Sequence, residues 1–91
     1  MSDIKVLKVT EDNFIDLLTG AKTFDVREKS IGVKYGDTVV IEEYNEVTDQ
    51  QTYRLATAEI GVTQVVGEFL VMSIDVVNYV DEKGILHYLT D

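Results

Sequence analysis

Cysteine is absent from the 91-residue chain, which excludes disulfides, thiolate zinc sites and cysteine nucleophiles. A chain without thiols fits a reducing compartment. The opening Met1-Ser2-Asp3 lacks the basic-then-apolar layout of a signal peptide. No apolar run approaches the roughly 20 residues that a membrane-spanning helix needs. A soluble, cytoplasmic protein with no membrane contact is therefore expected. Proline, low-complexity segments and internal repeats are also missing. Histidine occurs once, as His87, and a lone histidine in a terminal strand is a packed or exposed side chain before it is a ligand. The acids Glu42, Glu43, Glu46 and Asp49 lack the alternating spacing and central glycine of a calcium loop and read as a solvated face. No metal and no cofactor is expected.

Basic side chains are scarce. Eight Lys and Arg stand against 17 Asp and Glu, a formal net charge of −9, which argues against a broad phosphate-binding surface. The deficit is uneven. Residues 1–34 balance six bases (Lys5, Lys8, Lys22, Arg27, Lys29, Lys34) with six acids, whereas residues 35–91 hold two bases and eleven acids. An anionic ligand is expected only near the first third, and a cationic partner elsewhere.

What is present is a β-rich pattern. A hydrophobic fraction of 45% and a charged fraction of 27% lie in the globular range, and a chain of this length holds one core. Ile4–Val9 reads as a strand. Thr10 is a good N-cap, Glu11 and Asp12 suit the positive end of a helix dipole, and Phe14, Leu17 and Leu18 share one helical face. Gly20 supplies the stop. Thr23–Arg27 alternates, sending Phe24 and Val26 to one side and Thr23, Asp25 and Arg27 to the other. Residues 38–44 and 52–60 read as paired strands joined by a polar loop, residues 61–67 as an irregular crossing, and residues 69–77 as a strand with Leu70, Met72, Ile74 and Val76 on its core face. Asp81-Glu82-Lys83-Gly84 marks a terminal hairpin turn. The expected fold is α+β, mainly β: one helix after the first strand and six or seven short strands that hide their edges in a small barrel. Residues 1–91 form one domain, with 77–91 as a hairpin extension.

Lys22, Asp25 and Arg27 are the candidate site. Asp25 and Arg27 share a strand face and Lys22 precedes it in the turn, so two cations and a carboxylate can line one cleft. Arginine offers a planar fork to a phosphate or carboxylate, and a carboxylate accepts from a base or amide edge. The alternative is a solvent-facing Asp25–Arg27 pair worth under about 1 kcal/mol. The tyrosines Tyr35, Tyr44, Tyr53, Tyr79 and Tyr88 can stack on bases or cap a core edge.

Gly20-Ala21-Lys22-Thr23-Phe24-Asp25-Val26-Arg27, followed by Gly36-Asp37 and Glu43-Tyr44, resembles the ASCH/PUA-like superfamily. Within it the pattern is most similar to a small phage and bacterial family of unknown function with G-x-K-T-x-E-x-R, then G-D, then E-Y. Leu7-Lys8, Phe14 and Phe69–Ile74 fit the same pattern, so the resemblance spans roughly residues 4–76. It implies a PUA-like pseudobarrel of phage or prophage origin with RNA or nucleotide bound in a cleft near Lys8, Lys22, Asp25 and Arg27. Other relatives imply a small amidohydrolase acting on acetylated cytidine with Lys22 as its base, although Asp25 stands where they carry a threonine nucleophile. A third reading is an acidic protein whose surface from Glu42 to Glu68 docks on a basic nucleic-acid-handling protein, as a nucleic-acid mimic or anti-defence inhibitor would.

Overall fold

The computed structural model describes residues 4–89. Its elements are β1 (Lys5–Thr10), α1 (Glu11–Thr19), β2 (Phe24–Glu28), β3 (Thr38–Asn45), β4 (Gln50–Val66), β5 (Phe69–Val80) and β6 (Leu86–Tyr88). The polar stretch after β2 contains a single 3₁₀ turn, Lys29–Ile31. Local chemistry sets the helix. The Thr10 side chain accepts from the Asn13 amide, and Gly20 closes the last turn at φ 82°, a left-handed conformation that costs glycine nothing. Phe14 and Leu17 are buried, as their spacing requires.

One six-stranded mixed sheet follows the order β1-β3-β4-β5-β2, with β6 added to β5. β1 runs parallel to β3, and the other pairs are antiparallel. Pairing shifts register at Glu42/Tyr44, Thr57/Ala58 and Ile60/Thr63. Each such bulge bends and twists the strands, and the sheet curls into a half-barrel, giving a small α+β pseudobarrel. Its inner side holds Leu7, Val9, Phe14, Val39, Ile41, Ala58, Ile60, Met72 and Ile74. Leu70 is buried with them and Val76 packs against the cluster, so the expected core face of β5 is the observed one.

Two expectations change. Residues 61–67 are no irregular crossing: after the bulge at Gly61 and Val62, β4 resumes against β5 and turns at Gly67-Glu68. The reason is Gly67, whose φ of 60° supplies the positive value a two-residue hairpin loop needs. Strand β5 likewise runs unbroken to Val80, because its last three residues pair with both β4 and β6.

The terminal hairpin is organised by one carboxylate. Asp81 accepts from the amides of Lys83 at 2.9 Å and Ile85 at 3.0 Å, and its second oxygen meets His87 Nε2 at 2.8 Å. The His87 ring stacks on Tyr79, with centroids 4.7 Å apart. The hydrogen bond to His87, with the Ile85 amide second, holds the Asp81 carboxyl below its usual range. A carboxyl lowered on folding stabilises the hairpin above its unfolded pKa, and the effect fades as pH falls through the folded value. In an NMR titration Asp81 should stay ionised through the usual carboxylate midpoint near about 4, and His87→Ala should move it upward. An Asp81 that titrates normally in the parent protein contradicts the hairpin's reliance on this pair.

Candidate functional site

Strand β2 opposes β5 with Asp25 level with Met72 and Arg27 level with Leu70, and residues opposite each other share a sheet face. Met72 and Leu70 are core residues, so Asp25 and Arg27 turn inward and Phe24 and Val26 turn out. Asp25 is only 8% exposed, so the pair it makes is not the solvent-facing one.

A chain of polar contacts runs through this carboxylate. Asp25 Oδ2 accepts from Arg27 Nε at 2.7 Å, and Oδ1 lies 3.8 Å from Lys22 Nζ. Lys22 Nζ also donates to Asn13 Oδ1 on α1 at 3.3 Å. On the far side, Arg27 Nη2 donates to the backbone carbonyl of Lys8 at 2.6 Å. Strands β1 and β2 are the two ends of the sheet path, so Arg27 bridges the seam at which the half-barrel closes. A carboxylate taken out of water is tolerated when paired and hydrogen-bonded, and Asp25 has two cations beside it.

Three of the four residues of the expected site line two separate hollows, and Asp25 lines neither. Lys8 and Arg27 line one of about 520 Å³ with Glu42, Tyr44, Asp49 and Gln51. Lys22 lines another of about 680 Å³, between the end of α1 and strands β5 and β6, with Thr23, Asp75 and Tyr88. Asp25 sits between the two cations and touches both. The first hollow combines a guanidinium, an ammonium, two carboxylates and a phenol. That set matches one anionic group and one hydrogen-bond-donating edge on the same small ligand. Equal numbers of cations and acids do not suit a long run of phosphates.

Glu43 was expected on a solvated face and is instead fully buried. Its carboxylate accepts from Arg54 Nε at 2.8 Å, from Arg54 Nη2 and from the Thr52 hydroxyl. The cause is the first bulge. Glu42 pairs with Leu55 and Tyr44 with Gln51, so Glu43 faces Thr52, Tyr53 and Arg54 together. Tyr53 takes φ 72°, which lets the side chains on both sides of it reach Glu43. The Arg54 guanidinium also lies 5.3 Å from the Phe14 ring centre, a cation–π distance. Its hydrogen bond with Glu43 raises the Arg54 pKa against the opposing effect of burial. The sequence held the signal: Glu43 has the parity of Val39 and Ile41, which are core residues.

Removing one member of this pair strands the other, which costs about 3–5 kcal/mol where the charge is buried. Arg54 keeps part of its surface in water, so Glu43→Ala should cost about 3 kcal/mol in urea unfolding. Replacing both in Glu43→Leu/Arg54→Leu should recover at least half. A single variant as stable as the parent, or a double variant worse than the single, contradicts a paired buried charge.

Comparison with known proteins gives one family. The family model described as "Domain of unknown function (DUF3850)" matches residues 4–74. A search of curated proteins finds no significant match. The matched span contains β1, α1, β2, both buried carboxylates and the Arg27 seam, and it stops before the terminal hairpin. The chain belongs to the DUF3850 family.

Proposed function

We propose that the chain is a PUA-like, ASCH-type binding module of phage or prophage origin that takes a nucleotide, or one nucleotide unit of single-stranded RNA, at the β1/β2 seam. The observation that carries this reading is the Arg27 guanidinium, oriented by buried Asp25 and lining a hollow with Lys8 and Tyr44. Arg27 Nε and one Nη2 hydrogen are committed to protein acceptors, and a guanidinium has further N–H groups in the same plane. Those donors and the Lys8 ammonium take the phosphate. Tyr44 offers a face for the base, and Glu42, Asp49 and Gln51 offer acceptors for exocyclic amino groups. The half-barrel with a helix after its first strand supports the PUA-like assignment. Lys22 and Asp25 hold the strand that presents Arg27. Because Asp25 is engaged by Arg27 and Lys22, hydrolysis is the weaker reading.

Fluorescence titration of a labelled single-stranded RNA oligonucleotide, competed with nucleoside monophosphates across a salt series, tests this. Affinity should fall as salt rises. Lys8→Ala, which leaves the Lys8 carbonyl and the seam intact, should lower the slope of log K against log salt by about 0.7, the single-strand value per phosphate contact. Tyr44→Leu should cost about 1–3 kcal/mol if a base stacks there. Absence of binding at low salt, or binding indifferent to both substitutions, overturns the assignment.

A further inference from the structure

The outer surface of the sheet carries a second feature, independent of any ligand at the seam. Because β2 turns Asp25 and Arg27 inward, it exposes Phe24 by 50% and Val26 by 45%. Register places Phe24 beside Ser73, Val26 beside Val71 and Glu28 beside Phe69, and it pairs Phe69 with Val66 across the β4–β5 hairpin. Phe24, Val26, Val66, Phe69 and Val71 therefore form one apolar patch across three strands. Phe69 and Val66 are also more than half exposed. Single exposed apolar residues are ordinary, but a contiguous patch with two phenylalanines marks an interaction surface.

The rim says what covers it. At one end Glu59 and Asp75 stand directly opposite each other on β4 and β5, both exposed. At the other end Glu28 and Glu68 flank Phe69 in a hollow of about 390 Å³ that Lys29 and Ser30 complete. Lys22, 5.6 Å from the Phe24 ring centre, and Lys29 are the bases beside the patch, so the rim is net negative. A second copy laid face to face across a two-fold axis brings acidic ends together in a chain already at −9, which is repulsive. A carboxylate pair around an exposed aromatic ring suits a lysine or arginine side chain instead.

We infer that this outer face docks a protein surface with an apolar centre and a rim of lysine and arginine. The valines and phenylalanines exclude water at the centre, and the four acids set orientation and rate of encounter. The docking surface is thus not the continuous stretch from Glu42 to Glu68. Glu43 is buried, and the acids that surround the patch come from β2, β4, β5 and the β4–β5 turn.

The test is titration of isotope-labelled protein, followed by amide NMR, with two amphipathic peptides of identical leucine pattern, one carrying arginine and the other glutamate. The arginine peptide should shift the amides of residues 24, 26, 66, 69 and 71, and added salt should weaken it. Phe69→Thr should lower its affinity at least about tenfold, or about 1.4 kcal/mol. The variant Glu28→Lys/Glu68→Lys, at two exposed positions, should weaken binding and flatten the salt dependence. The proposal is overturned by equal binding of both peptides, by no binding, by shifts confined to Lys8, Tyr44 and their neighbours, or by sedimentation showing a dimer that shields these amides.

Discussion

A sheet with two free ends exposes two rows of unpaired backbone groups, and in this molecule one guanidinium spans the gap between them. Arg27 on β2 reaches the Lys8 carbonyl on β1 while Asp25, two residues earlier on the same inward face, holds its Nε. Asp25 in turn is backed by Lys22, which is tied to Asn13 on the helix. Closure of the half-barrel, seating of α1 and presentation of Arg27 to the adjoining hollow therefore share one carboxylate. The geometry also accounts for the outward turn of Phe24 and Val26, since a strand cannot place Asp25 inside without placing its neighbours outside.

Glu43 repeats the device on β3, one residue beyond Glu42, which stands level with Lys8. There too a buried carboxylate orders an arginine, Arg54, which then lies over the Phe14 ring. Such pairs add less stability than their Coulomb attraction implies, because both ions lose hydration. Their effect is geometric. Asp25 fixes where a strand edge ends, and Glu43 fixes a bulge that needs Tyr53, 73% exposed, at positive φ. Both carboxylates and the residues they hold lie within the span matched by the family model.

Much of this was legible in the sequence because it is local. Thr10, Phe14, Leu17 and Gly20 announce the helix within ten positions, and the parity of Leu70, Met72 and Ile74 announces the core face of β5. The alternation around Asp25 separated its face from that of Phe24, yet which face is the inner one depends on pairing with Met72, 47 positions away. The Arg27 contact to the Lys8 carbonyl bridges 19 positions and involves a backbone atom, which no residue pattern signals. Glu43 was misplaced because its acidic neighbours outweighed its parity with Val39 and Ile41. The strand beyond Ile60 was missed because a glycine at each end of 61–67 resembles a loop, whereas Gly61 allows close approach to Ser73 and Gly67 forms a tight turn.

The most direct measurement is hydrogen exchange of Asp25→Asn beside the parent protein. If Asp25 and Arg27 clasp the two sheet ends, loss of the charge should raise exchange along β1, β2 and the start of α1, while the β4–β5 pairing keeps its protection. Unchanged protection in β1 and β2, or a uniform rise across every strand, would contradict the clasp.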